Sequence, residues 1–351
     1  MTAVAPAFDA PLAPWQQRAY DQATAAIDAG RLGHALLFCG PAGLGKRRVA
    51  ERLALRLLCR DRDAAGEPCG HCRACQLFAV RNQADPLEVR PDGSPSHPWG
   101  HPGHPDAIFL GHAVNPKTGK PRSEIVIEQV RALSERLALT PQLGDAQVAL
   151  LDPADEINHA ASNALLKTLE EPQPGRHLWL VSASPTRLPA TLRSRCQRVE
   201  LRLPPRAEAL AWLATQGHGA AGAEEALDAA RGHPGLAAAW LRDGGLALRR
   251  EVADDLAQLQ GGRTAPIAMA QRWVADGQGD ARLRHAADLA LEAARGGLTD
   301  PRGARRLAAW FDAANRARDL LRTQVRSDLV VAEVLLGWRD ASAPVQARSR
   351  R

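Results

Sequence analysis

Short apolar runs alternate with longer amphipathic stretches through the first two hundred positions. The runs are HALLF at 34–38, AIFL at 107–110, IVI at 125–127, QVALLD at 147–152 and HLWLVSA at 177–183. Strands of that length, spaced by helical patterns, predict a parallel sheet with helices on its faces. After Leu203-Pro204-Pro205, which reads as a linker, the pattern changes. Ala, Leu and Arg dominate, and Leu283, Ala286, Ala287, Ala290, Leu291 and Ala294 recur at the three-and-four spacing of a helix packed on one face. This half is expected to be all helical, with a small bundle over 206–243, a larger one over 246–339 and a flexible tail at 340–351. Residues 91–122, rich in His, Pro and Gly, read as an irregular, solvated surface excursion in which His97, His101 and His104 are a weaker metal alternative.

The segment Gly40-Pro-Ala-Gly43-Leu-Gly45-Lys46-Arg47 follows the first predicted strand and opens the amphipathic run KRRVAERLALRLL. Backbone amides at such a helix start cradle phosphates, and Lys46 is placed to neutralise them. The position after the lysine should carry a hydroxyl that ligates magnesium. Arg47 stands there instead, a permanent cation with no lone pair to give. Asp152, at the end of the run QVALLD, occupies the place of a second magnesium-binding carboxylate, but the next residue is Pro153 where a hydrolytic enzyme of this type needs an acid to polarise water. Asp155-Glu156 follows Pro-Ala rather than an apolar strand and does not replace it. Two parts of the chemistry are missing, so no hydrolysis is expected, and ATP binding at Gly40, Gly43, Gly45, Lys46 and Asp152 stays open.

Cys69-Gly-His-Cys72-Arg-Ala-Cys75, with Cys59 ten residues earlier, brings four thiols into a short polar excursion after the predicted loop helix. Four thiolates form a closed structural zinc site, with no open position for catalysis. An iron-sulfur cluster is the alternative, although the fourth cysteine lies upstream rather than ahead of a proline. His71 reads as a bystander, and Cys39 and Cys196 as a strand-end and a turn thiol.

Length and charge narrow the class only a little. The 351 residues are enough for two or three domains with a buried core. No apolar run approaches the length of a membrane span and the N-terminus lacks the order of a signal peptide, so a cytoplasmic protein is expected. Six cysteines in that setting favour metal over disulfides. The net charge of +6 permits nucleic-acid contact. Arg outnumbers Lys 41 to 4, however, and aromatics make up only 4%, so a solvated basic surface and weak DNA binding are expected.

The motifs GPAGLGK at 40–46, CGHCRACQL at 69–77, HPD at 104–106, NALLKTLEEP at 163–172 and LPATLRSRC at 188–196 together resemble the delta-prime family of bacterial DNA polymerase III clamp-loader subunits. The resemblance spans about residues 11–203. It implies an α/β AAA+ P-loop domain (1–203) with an inserted zinc module (59–75), then two all-helical domains, a lid (206–243) and an oligomerisation collar (246–339). It also implies a structural Zn2+ on Cys59, Cys69, Cys72 and Cys75, and a hetero-oligomer with gamma/tau-type motor subunits and delta that acts on the sliding clamp and primed DNA. Ser194-Arg195-Cys196 resembles a motif whose arginine reaches the ATP held by the adjacent subunit, which makes Arg195, with Ser194, catalytic in trans. The similar motor subunits carry Thr or Ser, Asp-Glu and a sensor Arg where this chain has Arg47, Pro153 and, in Gly232-His-Pro-Gly235, Gly235. The rival reading is an active motor subunit. A stand-alone zinc DNA-binding protein is a third.

Overall fold

The computed structural model describes residues 11–342, except 92, 297–299, 322 and 324. The chain divides into two compact units after Ala238.

Five strands form the sheet of the first unit: β1 (Ala35–Cys39), β4 (Ala107–Leu110), β5 (Gln147–Leu151), β6 (Arg176–Ser182) and β7 (Gln197–Glu200). They are all parallel, in the order β4-β5-β6-β1-β7. Two short strands, β2 (Arg81–Asn82) and β3 (His101–Pro102), pair antiparallel beside it. Because side chains alternate along a strand, β1 serves two cores. Leu36 and Phe38 join Trp15, Val49, Leu53 and Trp179 beneath α1 (Pro14–Asp28) and α2 (Lys46–Leu58). Ala35 and Leu37 join Ile108, Val130, Leu133, Leu165 and Leu180 on the face covered by α4 (Ile127–Leu137) and α5 (His159–Glu170). Each such large side chain taken from water stabilises the fold by roughly 1.5–3 kcal/mol. Strands covered on both faces read as continuous apolar runs, which is why four of them were legible.

The sequence expectation differs from the fold at the sheet's margins. The run at 125–127 is not a strand: Ile125 makes one isolated bridge to Ile157, and Ile127 already begins α4. Ile125 is apolar because it is fully buried at that crossing, not because it extends a sheet. Edge strand β7 was missed, since Val199 alone of its four residues is buried and Arg198 and Glu200 face solvent. Charges on an exposed edge also discourage pairing with other chains.

Short helices α3 (Arg73–Ala79) and α6 (Ala190–Arg193), then α7 (Arg206–Thr215) and α8 (Ala220–Ala229), complete the first unit, and α9 (Pro234–Asp243) crosses the division. The second unit is helical: α10 (Gly245–Gln260), α11 (Pro266–Ala275), α12 (Gly279–Gly296), α13 (Pro301–Leu321), α14 (Ser327–Leu336) and α15 (Trp338–Ser342). Its core packs Trp310 edge-on against Trp338, with ring centroids 4.7 Å apart. Trp310 Nε1 donates to Val334 O and Trp338 Nε1 to Leu256 O, so both indoles are buried with their donors satisfied. Residues 340–342 end α15, and the rest of the expected tail lies outside the described residues. Among the described residues no helix is long and apolar enough to cross a membrane.

Candidate functional site

The loop Gly40–Gly45 leaves β1 and enters α2 as expected. Gly43 and Gly45 sit at φ 80° and 79°, in the left-handed region that favours glycine. Trp15 Nε1 and Gln16 Nε2 both donate to Leu44 O at 3.0 Å and hold the loop against α1. Lys46 is buried, and its Nζ donates to Gly40 O (2.8 Å) and Pro41 O (2.9 Å), so the ammonium folds over its own loop. That burial lowers its pKa, opposed by the Asp152 and Asp155 carboxylates. Gly235, at the start of α9, approaches so closely that a Cβ there would lie 1.9 Å from Gly43 O. Any side chain at this position has no room.

Arg47 is the centre of the site. In a working loop a magnesium ion sits between the hydroxyl after the lysine and the carboxylate at the strand end. Here the Arg47 side chain starts at the hydroxyl's position and its Nη1 reaches within 3.5 Å of Asp152 Oδ2. The guanidinium also donates to Glu51 Oε1 (2.8 Å), Ser96 O (3.1 Å) and His97 Nδ1 (2.8 Å), and its Cζ lies 5.4 Å from the centre of the Phe109 ring. Glu51 in turn accepts from Arg81 at 2.9 Å. The chain therefore supplies a fixed cation of its own beside Asp152. Asp155 Oδ1 accepts from Ala183 N at 3.2 Å, and Glu156 lies 2.6 Å from His112 Nε2, so both acids beyond Pro153 are already engaged.

The His/Pro-rich excursion is only in part the solvated surface segment expected: residues 116–121 are exposed, but the histidine-rich part is not. Ser96, His97, His104, Asp106 and His112 are buried, not solvated. Ser96 and His97 turn inward because Arg47 needs acceptors, and they provide two of them. The HPD motif is a brace: Asp106 accepts from Gln142 N (2.8 Å) and Leu143 N (2.9 Å), while His104 Nδ1 accepts from Asp106 N. Glu88, His97 and His101 place ligand atoms within 4.8 Å of one another. Arg47 has only donors, so His97 Nδ1 must accept and the ring proton sits on Nε2, 3.4 Å from Glu88 Oε2. That tautomer leaves Nε2 no lone pair for a cation.

Buried imidazoles also set the acid limit of stability. Burial pushes His177, in the first unit, and His285, in the second, down to about 4. His97 and His104 are lowered for the same reason, His97 additionally by Arg47. Below pH 6.5 the unfolded imidazoles bind protons that the folded ones refuse, so stability falls as pH drops from about 6.5 towards 4. His177 and His285 are each expected to cost on the order of 2 kcal/mol at pH 5. Denaturation midpoints at pH 7.5 and pH 5 check this, and His285→Phe should flatten the slope in the second unit.

The four cysteines predicted as ligands converge: the Sγ atoms of Cys59, Cys69, Cys72 and Cys75 all lie within 4.8 Å of one another. Cys59 caps α2, Cys69 and Cys72 lie in the loop before α3, and Cys75 lies on α3. The Cys59 sulfur is 3.7 Å from Cys69 and 3.9 Å from Cys72. Amides of Cys69 and Cys72 point at the sulfurs of Cys59 and Cys69 (3.4 and 3.3 Å). Such donors suit thiolates. This set can hold a structural metal ion. His71 is exposed, with Nδ1 on Cys69 O, and takes no part. Cys39 and Cys196 are buried away from this cluster, at the end of β1 and just ahead of β7.

Comparison with known proteins places this geometry in a family. A family model described as DNA polymerase III, delta subunit, matches residues 15–205. The DNA polymerase III subunit delta' of Pseudomonas aeruginosa is 36% identical over 264 residues, 74% of this chain and 70% of that protein. The chain belongs to the DNA polymerase III delta-prime family of clamp-loader subunits. The delta-prime protein of Escherichia coli is 34% identical over 203 residues, 58% of this chain and 52% of that one. The tau subunit of Escherichia coli is 30% identical over 176 residues, 50% of this chain and 23% of that protein.

For a delta-prime chain, the remaining candidates lie at the surface. Arg195 is exposed just beyond α6, and its Nη1 donates to Thr191 O at 2.9 Å. Ser194 caps α6, with its hydroxyl on the same carbonyl at 3.1 Å. Neither approaches Lys46 or Arg47 by any contact the structure shows. Sequence reasoning missed Glu51, Ser96 and His97 as partners of Arg47. Glu51 was findable, because it stands four residues on in the same helix. The other two carried no local signal.

Proposed function

We propose that this chain is a non-hydrolysing subunit of a hetero-oligomeric clamp loader. In this reading it sits beside a gamma/tau-type motor subunit and a delta subunit, and helps place the sliding clamp on primed DNA in the cytoplasm. The first domain (1–203) carries the zinc module, and the helical domains at 206–243 and 246–339 act as lid and collar. The observation that carries the reading is Arg47. It puts a guanidinium beside Asp152 where a hydrolytic site needs magnesium, and Pro153 supplies no acid to activate water. The nucleotide-site residues Gly40, Gly43, Gly45 and Lys46 then serve as a structural remnant.

The useful chemistry lies at Arg195, in trans, with Ser194 capping the turn that presents it. An arginine supplied across an interface stabilises charge on a transferring phosphoryl group. The residue's exposure supports this assignment, since a buried arginine could not cross to a neighbour. Arg195→Ala is expected to lower the ATPase of the loader, reconstituted with its organism's motor and delta subunits, clamp and primed DNA, by about tenfold. Isolated, the chain should be silent. Magnesium-dependent turnover by the chain alone, abolished by Lys46→Ala, would instead favour the motor reading.

The metal on the four cysteines is zinc. A tetrahedral ion with Zn–S bonds near 2.3 Å holds its sulfurs about 3.8 Å apart. The separations of 3.7 and 3.9 Å match that edge. A cubane cluster, with each thiolate on a different iron, would spread them more widely.

A further inference from the structure

Two of the motifs quoted from the sequence, NALLKTLEEP and LPATLRSRC, meet at the surface. Arg195 Nη2 lies 2.6 Å from Glu170 Oε1, the last residue of α5. The same guanidinium is held through Nη1 by Thr191 O, in α6. Two acceptors from two different helices fix the plane of the fork. A guanidinium has five donors, so three remain.

Neither acid at this helix end is placed by helix electrostatics. Carboxylates at a C-terminus face the negative end of the macrodipole. Glu170 sits there because the Arg195 cation covers it. Nor does stability account for the pair. The Arg195 and Glu170 side chains are 37% and 49% exposed, and exposed pairs contribute under about 1 kcal/mol. A contact too weak to matter for folding is strong enough to choose a rotamer. It is also weak enough to yield part of the fork to a polyphosphate.

We propose that Glu170 is a positioning residue for Arg195: its carboxylate sets the guanidinium in the orientation from which the free donors meet a nucleotide phosphate on the adjacent subunit. This rests on the trans role of Arg195. Without Glu170 the side chain samples other rotamers, and the donors must be ordered anew at each turnover. Misplacing a catalytic group by small distances lowers rate rather than substrate affinity.

The test is a double-mutant cycle in the reconstituted loader with clamp and primed DNA, measuring kcat and KM for ATP. Glu170→Ala should lower kcat about threefold, the scale of an exposed ion pair, with KM little changed. Glu170→Gln, which keeps one acceptor oxygen, should fall between. In an Arg195→Ala background, Glu170→Ala should do nothing further. An unchanged kcat for Glu170→Ala, or an equal loss in both backgrounds, sinks the positioning role while leaving the trans role intact. If Arg195→Ala itself leaves turnover unchanged, the trans reading fails and the positioning falls with it.

Discussion

Arg47→Ala is expected to destabilise the first unit by about 3 kcal/mol, because it leaves Asp152 and Glu51 buried beside a hole with one cation fewer. The loss is bounded by Arg81, which still reaches Glu51, and sharpened by Ser96 O and His97 Nδ1, which lose their donor. On a unit of this size the midpoint of thermal unfolding should fall by roughly 6–12 °C. A shift within 2 °C of the parent would mean that the guanidinium is a passenger and the internal-cation account is wrong. Arg47→Thr makes a sharper distinction, since it restores the hydroxyl and frees Asp152 for magnesium. Turnover should still not appear. Pro153 has no acid to offer, Asp155 and Glu156 are committed to Ala183 and His112, and the Gly43–Gly235 approach leaves no space for a side chain at 235. Phosphate release from Arg47→Thr, lost again with Lys46→Ala, would show that one residue alone silenced the loop.

The parts of the molecule that sequence patterns exposed are those whose partners are close in the chain or uniform in character. β1, β4, β5 and β6 are buried on both faces, and α2 matches the amphipathic run residue for residue. The cysteine cluster was equally plain, because its spacing is a ligand pattern in itself. What escaped depends on partners far along the chain. β7 is a strand only because β1 pairs with it, and its polar composition gave no sign. His97 looked solvated since it lies in a His-, Pro- and Gly-rich stretch with no apolar run, yet a charge fifty residues earlier draws it inside. Arg47 itself read as a lost hydroxyl. Its positive role, a cation that completes a buried network, is visible only once Glu51, Asp152 and segment 96–97 are brought around it. The pairing of Glu170 with Arg195 is similar: two motifs were noticed, and their meeting was not.

Metal removal should produce the largest loss of stability, on the order of 5 kcal/mol, because the cysteine module is not an appendage. Cys59, Cys75 and Phe78 belong to the core beneath α1 and α2. Phe78 packs edge-on against Phe109 at 6.3 Å, and Phe109 underlies the Arg47 guanidinium. Glu67, inside the module, accepts from Tyr20 Oη (2.8 Å), Arg52 (3.1 Å) and Arg56 (3.0 Å), so it ties α1 and α2 to the metal loop. Arg81, two residues past α3, reaches back to Glu51. Stripping the ion lets four thiolates repel or protonate, loosens the loop that carries Glu67, and so reaches the α2 helix that carries Lys46 and Arg47. Purified protein should contain one zinc per chain, and a strong chelator or Cys75→Ser should lower the unfolding midpoint by roughly 10–20 °C. Iron with visible absorbance would overturn the choice of metal. A metal-free chain that melts with the parent would overturn the module's structural role, and the link it forms between the cysteines and the Arg47 network would go with it.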